Sequence, residues 1–240
     1  MQAMIFAAGM GTRLKPLTDR MPKALVPVAG KPLLQHVMNK LQGAGFDRVV
    51  VNVHHFAQQI KDYLQDSNVI ISDETDQLLE TGGGLKKALS FFRVDEPVLI
   101  HNVDILSNVD LRSFYDESRG NDATLLVSWR ETQRYLLFND EMRLVGWTNI
   151  ATGEVKSPYA DLQVERCRRY AFSGIHCVSP ALQGIMEGWP DRFPIMDFYL
   201  QNCHRLNIRG VVKTDLRLMD VGKLDTLQQA EQFVKEIETI

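Results

Sequence analysis

The chain has 240 residues with 27 basic and 30 acidic side chains, so its formal net charge at pH 7 is −3. A chain of this length can bury a core without disulfide bonds, and its near-neutral charge argues against a broad electrostatic surface for nucleic acid. Its three cysteines show no C-x-x-C spacing and no apolar run approaches a membrane span, so we expect a cytoplasmic protein without a zinc site, a membrane anchor or a nucleic-acid partner.

The first half of the chain alternates strand-length apolar runs with helical patterns. Four runs have the length and composition of a strand: residues 4–8, 49–53, 69–71 and 98–100. Helical patterns begin near Pro32, Phe56 and Gly83. This alternation predicts an α/β fold, in which a Rossmann-like, mostly parallel sheet is flanked by helices, and the strands are apolar enough to be covered on both faces. We expect residues 1–122 to form a nucleotide-binding half.

The pattern changes to β-rich segments after Asp122. Strand-like segments cover residues 123–129, 143–147 and 170–178, and turn-like pairs lie at 139–140 and 152–153. The last segment carries apolar side chains at helical spacing: Leu224, Leu227, Ala230, Val234 and Ile237. We therefore expect a single domain over residues 1–240, in which residues 123–240 hold a second substrate and end in a closing helix.

A glycine-rich segment follows the first predicted strand directly. Between Ala7 and Arg13 the small side chains let backbone N–H groups approach a polyanion, and Arg13, Lys15 and Lys23 add positive charge. A plain glycine turn is the competing interpretation. A dinucleotide-binding loop would need a third glycine where this chain has Leu14, and the Gly-Lys-Ser/Thr of a Walker loop is absent.

This segment resembles the signature of the nucleotide-sugar pyrophosphorylases, or sugar-1-phosphate nucleotidyltransferases: A-A-G-x-G-T-R followed by P-K, here Ala7 to Arg13 and Pro22-Lys23. The resemblance implies a GT-A-like nucleotidyltransferase fold and a reaction that joins a nucleoside triphosphate to a sugar 1-phosphate with release of pyrophosphate. It also implies that the loop wraps the triphosphate while arginine and lysine neutralise its charge. The residues that match these roles are Ala8, Gly9, Gly11, Thr12, Arg13 and Lys23.

A second glycine-rich segment, Glu80-Thr81-Gly82-Gly83-Gly84, opens a helical pattern. Three glycines at this position could be only a flexible helix start. In the resembled family a glycine-rich turn here lies against the nucleobase, which implies base contacts for Gly82 and Gly83. The Glu80 carboxylate can accept from N3–H of uracil or from N1–H and N2–H₂ of guanine, so both bases stay open.

Two aspartates are predicted at the same edge of the sheet. Asp104 follows the strand at 98–100, where open α/β sheets bind ligands and where a carboxylate suits Mg²⁺. Asp220 stands in an Asp-Val-Gly motif before the last helix. A helix cap or turn is the alternative role for each. In the resembled family both aspartates bind the metal, which implies Mg²⁺ as cofactor and a catalytic role for Asp104 beside Arg13 and Lys23.

The β-rich half carries shorter matches to the family. Glu165-Arg166 stand where many members have Glu-Lys at the sugar phosphate, and Gly174 matches a family glycine. Arg168 and Arg169 are alternative phosphate partners, and all three arginines could equally be solvated charges. The chain as a whole is most similar to the short N-acetylmuramate-1-phosphate uridylyltransferases of cell-wall sugar recycling. Mannose-1-phosphate guanylyltransferase, phosphocholine cytidylyltransferase and a non-catalytic nucleotide-sugar sensor are the alternatives.

Overall fold

The computed structural model describes residues 1–238, so residues 239 and 240 of the predicted second half lie outside the described residues. The strands are β1 Gln2–Phe6, β2 Pro27–Val28, β3 Lys31–Pro32, β4 Arg48–Val53, β5 Ile70–Asp73, β6 Val98–Asn102, β7 Ile105–Ser107, β8 Ala123–Ser128, β9 Arg134–Phe138, β10 Leu144–Asn149, β11 Glu154–Lys156, β12 Arg168–Val178, β13 Ile208–Val212 and β14 Leu218–Asp220. The helices are α1 Leu33–Gly43, α2 Ala57–Leu64, α3 Glu80–Ala88, α4 Leu111–Glu117, α5 Gln183–Met186, α6 Ile195–Asn202 and α7 Asp225–Glu238.

Ten of these strands form one mixed sheet whose core is parallel. The sheet order is β11-β10-β9-β12-β6-β1-β4-β5, and β8 pairs with both β12 and β13. The strands β6, β1, β4 and β5 run parallel to one another, whereas β12 pairs with β6, β8 and β9 in antiparallel fashion. The predicted α/β class is confirmed. The sheet is mixed because the β-rich half joins its parallel core through the antiparallel strand β12, and one further parallel pair, β8 with β13, lies beyond β12.

The core strands are buried because helices cover both faces of the sheet. All five residues of β1 are buried. Successive side chains of a strand point to opposite faces, and accordingly Ala3 and Ile5 pack in one apolar cluster with α1 and α7. Met4 and Phe6 pack in the other cluster, with α3 and α6. The predicted closing helix is also present, and it buries Ala230 and Val234 against the first cluster.

Parallel register places three strand ends at one edge of the sheet. Phe6, at the end of β1, lies opposite Asn52 of β4 and Asn102 of β6. The chain returns to this edge near its end, since β14 pairs with β7 and sets Asp220 opposite Ile105. Residues distant in sequence therefore meet at the carboxyl ends of β1, β4 and β6. Within residues 1–238, no helix has both the length and the apolar character needed to cross a membrane.

Candidate active site

A cleft of about 470 Å³ opens at this carboxyl edge. Its lining gathers most of the residues predicted from the glycine loop, the Glu80 segment and the first aspartate: Ala8, Gly9, Gly11, Thr12, Arg13, Lys23, Glu80 and Asp104. Asn52, Thr81, Asn102 and Gly222 also line the cleft. The structure thus brings three separate sequence segments together around one cavity.

The glycine loop is fixed at Gly11 and open at Gly9. Gly11 has a φ of +62°, and a Cβ added there would lie 2.8 Å from Thr18 Cγ2 and 3.0 Å from Lys23 Cβ. The Thr18 hydroxyl donates to the Gly11 carbonyl at 2.9 Å, and the buried Leu14 anchors the turn that follows. A Cβ added at Gly9 would meet no atom within 4 Å. Thr18 and Leu14 therefore fix the Gly11 end of the loop, while the backbone at Gly9 has space to approach a ligand.

An ion pair between Lys23 and Asp104 crosses the floor of the cleft. The Lys23 ammonium contacts Asp104 Oδ2, and the two side chains are only 10% and 18% exposed. Asp104 lies in the turn between β6 and β7, and its carbonyl accepts from the Val221 amide at 2.8 Å. This backbone contact ties the late Asp-Val-Gly motif to the strand that carries Asp104. One amine and one carboxylate are thus held at the bottom of the cleft with little access to water.

Asp220 is a half-buried residue whose carboxylate has one buried oxygen without a partner among the described residues. Its Oδ1 atom is buried and has no hydrogen-bond partner among the described residues. Burial raises the pKa of Asp220, the nearby charge of Asp104 raises it further, and the charges of Lys23 and Arg13 oppose the shift. An anion held in this way is stabilised by any added cation. The geometry therefore leaves one carboxylate oxygen available to a positively charged group.

Gly222 allows Arg13 to approach this carboxylate. A Cβ added at Gly222 would lie 2.6 Å from Asp220 Oδ1 and 2.8 Å from Arg13 Nη2. Any side chain at this position would displace one of the two groups. The glycine of the Asp-Val-Gly motif therefore leaves room for Asp220 and Arg13 to converge.

The residues present fit a hard divalent cation. Asp104 and Asp220 interact electrostatically, and the unpartnered Oδ1 of Asp220 is a suitable oxygen ligand. Among residues 1–238, no group of three or more His, Cys, Asp and Glu side chains is gathered as a metal site. Further ligands would be water or substrate phosphate oxygens, which is the usual arrangement for Mg²⁺.

The segment at Glu80 faces the cleft with its first two residues only. Glu80 has a φ of +61°, which is uncommon for a residue with a side chain and is typical of functional sites that store strain. Its carboxylate pairs with the guanidinium of Arg192 at 3.0 Å. Thr81 also lines the cleft. These two residues lie where a base is predicted to bind.

Gly82 and Gly83 lie behind these two residues and have a packing role. Both amides donate to the Phe193 carbonyl, at 2.8 and 3.2 Å. A Cβ added at Gly83 would lie 1.9 Å from the Asp191 carbonyl oxygen, and one at Gly82 would lie 2.3 Å from the Phe193 ring. Neither glycine is among the residues that line the cleft. Close approach of the 191–193 turn therefore accounts for both glycines, and their predicted base contact stays a prediction.

A buried hydrogen-bond relay, absent from the predicted site, connects the glycine loop to α3. The Ala7 amide donates to Asn52 Oδ1 at 2.8 Å, and Asn52 Nδ2 donates to Glu74 Oε1 at 2.7 Å. The other Glu74 oxygen accepts from the Leu79 amide at 3.2 Å. The relay sets the distance between the phosphate side and the base side of the cleft. Asn52 is the penultimate residue of β4, and a polar side chain within an otherwise apolar run was the available sequence signal.

The predicted sugar-phosphate residues are not brought together. Gly174 lies beside the cleft, where a Cβ would be 2.8 Å from Ile105 Cγ1 and 3.0 Å from Asn102 Nδ2. Glu165 and Arg166 lie in a short turn before β12, and Arg166 lines a separate groove that shares no residue with the cleft. The length of β12 separates Glu165 and Arg166 from the cleft, because the six residues from the start of this strand to Gly174 span roughly 20 Å.

Arg130 is a charged residue near Asp220 that no sequence motif identified. It follows β8, and its Nη2 donates to the Phe172 carbonyl at 3.0 Å. Its charge helps to lower the pKa of Asp220 against the effect of burial. Arg168, by contrast, pairs with Asp140 at 3.3 Å. Arg130 is therefore an arginine of the β-rich half whose charge acts on Asp220.

Comparisons with known proteins identify the family of the chain. A family model described as the MobA-like NTP transferase domain matches residues 3–180. The chain is 46% identical over 109 residues to N-acetylmuramate alpha-1-phosphate uridylyltransferase of Caulobacter vibrioides, covering 42% of this chain and 45% of that protein. It is 41% identical over 120 residues to the protein of the same name from Neisseria meningitidis serogroup B, covering 48% and 52%. The matches thus span about half the length of these curated relatives.

A solved structure has the same fold. HddC from Yersinia pseudotuberculosis superposes with a TM-score of 0.74 at 22% identity, and the match covers 97% of this chain and 99% of that one. HddC has also been solved in complex with GMP-PN. At this level of identity the likeness bears on the fold alone.

Proposed function

The chain belongs to the MobA-like NTP transferase family, and on that basis we propose that it is a sugar-1-phosphate nucleotidyltransferase. It joins a nucleoside triphosphate to a sugar 1-phosphate and releases pyrophosphate. The observation that carries the proposal is the convergence of Arg13, Lys23, Asp104 and Asp220 beside a glycine loop with open space at Gly9. Two cationic and two carboxylate side chains beside such a loop can neutralise and position the phosphates of a nucleotide during phosphoryl transfer.

The proposed reaction is an in-line displacement at the α-phosphorus. An oxygen of the sugar phosphate attacks, a new P–O bond forms, and the bond to the β-phosphate oxygen breaks with its electron pair leaving on pyrophosphate. The attacking phosphate is already an anion, so the reaction needs no protein nucleophile or base. Arg13 and Lys23 neutralise the charge that builds on the phosphate oxygens, and the loop from Ala8 to Thr12 positions the triphosphate through its backbone.

Mg²⁺ is the proposed cofactor, with Asp104 and Asp220 as the residues that hold it. The buried oxygen of Asp220 and the shared charge environment of the two carboxylates support this assignment. The ion would supply charge neutralisation at the phosphate oxygens of the bound triphosphate. Lys23 contacts Asp104 and also lines the cleft, so its charge lies beside both the proposed ion and the phosphates.

The proposed substrates are UTP and N-acetylmuramate 1-phosphate. Support comes from the names of the Caulobacter and Neisseria relatives and from Glu80, whose carboxylate can accept from a uracil imide. Gly82 and Gly83 would reach the base only through their backbone. On the sugar side, Gly174 and Arg130 are the supported positions, and the distance of Glu165 and Arg166 from the cleft speaks against direct contact with the phosphate.

A substrate grid tests this proposal. Pyrophosphate release is measured with Mg²⁺ for UTP, GTP and CTP, each against N-acetylmuramate 1-phosphate, N-acetylglucosamine 1-phosphate, mannose 1-phosphate and phosphocholine. We expect UTP with N-acetylmuramate 1-phosphate to give the highest kcat/KM, by about 10²-fold over the purine, which a uracil pocket excludes sterically. GTP with mannose 1-phosphate, or CTP with phosphocholine, as the best pair would overturn the substrate assignment alone. No release with any pair, together with tight binding of a nucleotide-sugar, would favour a sensor.

A further inference from the structure

A second polar cavity, about 290 Å³ in volume, lies apart from the cleft. We call it the rear pocket. It is formed by α1, the end of β6, β7 and α7, and it shares no lining residue with the cleft. The polar residues that line it are His36, Asn39, Lys40, His101, Ser107 and Asn108. The proposed function uses none of these residues, so their presence around a cavity requires a separate explanation.

Two buried polar atoms at this pocket have no hydrogen-bond partner within residues 1–238: His101 Nε2 and Ser107 Oγ. His101 is fully buried and Ser107 is 2% exposed. The other ring nitrogen, His101 Nδ1, lies 2.8 Å from the Asn102 carbonyl. A carbonyl only accepts, so Nδ1 must carry the proton. Burial lowers the pKa of His101 to about 4, so the ring is neutral at pH 7 and Nε2 presents a lone pair.

Lys40 adds an unpaired cation to the same pocket. Lys40 is half-buried, burial lowers the pKa of its ammonium group, and the charge of Asp110 opposes that shift. No carboxylate within residues 1–238 forms an ion pair with it at 4 Å or less. The lining that the structure describes contains no Asp or Glu side chain.

The other polar residues of the lining each have at least one hydrogen bond. Asn39 is exposed, and its Oδ1 accepts from the Gln35 amide at 2.7 Å. His36 Nε2 lies 2.8 Å from the Val28 carbonyl. The Asn108 amide donates to the Asp215 carbonyl and accepts from the Arg217 amide. Within the described chain, the pocket thus holds two fully buried polar atoms without a partner, Ser107 Oγ and His101 Nε2, beside the half-buried Lys40 ammonium. Burial of polar groups without partners is unfavourable, so these groups favour a polar occupant.

We propose that the rear pocket binds a small oxyanion that also carries a hydroxyl group, with hydrogen phosphate as its simplest representative. The anionic oxygens meet the Lys40 ammonium and the Ser107 hydroxyl, and the ligand hydroxyl donates to His101 Nε2. A plain anion would leave the lone pair of His101 unsatisfied, and ordered water would bring no negative charge to the half-buried Lys40 ammonium. An α-hydroxy acid has the same pair of groups and is the second source of this chemistry.

The rear pocket is connected to the cleft through one strand. His101 faces the rear pocket, and Asn102, the next residue of β6, lines the cleft. The Asn102 carbonyl that accepts from His101 belongs to the segment that leads into Asp104. An occupant therefore contacts the strand that positions the predicted metal ligand. The proposal itself depends only on the rear pocket and not on the nucleotidyltransferase assignment.

Imidazole ¹⁵N NMR of the intact protein tests the ligand class, because the chemical shift of His101 Nε2 reports a hydrogen bond to its lone pair. The His101→Gln variant assigns the resonance. We expect the resonance to move on titration with phosphate or glycolate, but not with sulfate or acetate. Sulfate and acetate are also oxyanions, but they carry no hydroxyl group at pH 7. The Arg13→Ala variant should respond like the wild type, because Arg13 lines the cleft and not the rear pocket. Equal responses to sulfate and phosphate, or no response to phosphate and glycolate, would overturn the proposal.

Calorimetric titration with phosphate tests the residues. Lys40→Met keeps the length of the side chain and the helix, and it should weaken the phosphate affinity of the rear pocket at least about tenfold, the factor for one charge-assisted hydrogen bond. Lys61→Met is the matched control, because Lys61 lies on α2 and pairs with Asp73. It should leave the affinity unchanged. Unchanged affinity in Lys40→Met, with a normal melting temperature, would show that the rear pocket is not the binding site.

Discussion

Asp220 is the residue at which stability and the proposed activity conflict. Its buried Oδ1 has no partner, and burial together with Asp104 raises its pKa. We predict that Asp220→Asn raises the melting temperature of the metal-free protein by about 2–4 °C, the shift that about 1 kcal/mol gives in a chain of this size. The same variant should lose most pyrophosphate release, because the amide removes a charge from the proposed metal site. Calorimetry without and with Mg²⁺ measures the first effect.

The stability difference between Asp220→Asn and the wild type should depend on pH in a defined direction. A carboxyl whose pKa is raised on folding binds its proton more tightly in the folded state, so its contribution to stability falls as pH rises through the window between the unfolded and folded pKa values. The stability advantage of Asp220→Asn should therefore be small in acid and grow toward neutral pH. A variant less stable than the wild type at pH 7 in the absence of Mg²⁺ would contradict this account of Asp220.

Arg13 is predicted to act on the transition state rather than on binding. It is exposed at the mouth of the cleft and converges with Asp220 on Gly222. We expect Arg13→Ala to lower kcat by about 10²-fold or more, as for loss of one preorganised charge donor, with a smaller change in KM. Steady-state kinetics in saturating Mg²⁺ separates the two parameters. A change in KM alone would mean that Arg13 binds the ground state and the transition state equally. Lys23→Ala is expected to behave in the same way.

At the scale of elements, the contact between α3 and the 191–193 turn sets the base side of the cleft. A Cβ at Gly83 would overlap the Asp191 carbonyl oxygen at 1.9 Å. We predict that Gly83→Ala lowers the free energy of unfolding by about 1–3 kcal/mol, as expected for overpacking against backbone. Urea denaturation measures this change.

Gly184→Ala is the matched control for this substitution. Gly184 also lies in a helix, α5, but a Cβ added there would meet no atom within 4 Å. Alanine favours helix over glycine by roughly 1 kcal/mol, so this variant should be neutral or more stable. If both variants lost the same stability, close packing would not explain the glycines of the Glu80 segment.

The sequence predicts those elements whose causes are local. Apolar runs with strand length predicted β1, β4 and β6, and the glycine loop was predicted from small residues and charges that follow one another in the chain. The Asn52–Glu74 relay and Arg130 were not predicted, because each depends on which strand ends meet, and pairing between strands distant in sequence leaves no local pattern. The position of Arg166 was uncertain for the same reason, since it depends on the length and bend of β12.

At the scale of the whole molecule, the cleft combines both halves of the chain. Residues 1–122 supply the glycine loop, Lys23, Glu80 and Asp104, while Asp220 and Gly222 come from the β-rich half. The pairing of β14 with β7 makes this possible, because it returns the chain to the edge where β6 ends. The division into a nucleotide-binding and a sugar-binding half therefore stays a proposal, and the predicted metal pair would join the two.

The most direct test of the central claim is ³¹P NMR of a single reaction mixture containing the protein, UTP, Mg²⁺ and N-acetylmuramate 1-phosphate, followed in parallel for the wild type and Asp104→Asn. We predict that the wild type forms pyrophosphate and a sugar-linked diphosphate in equal amounts, and only when the sugar phosphate is present. Asp104→Asn, which keeps the shape of the site but removes one charge, should be severely slowed. Equal rates for the two proteins, or pyrophosphate formed without the sugar phosphate, would contradict nucleotidyl transfer at this cleft.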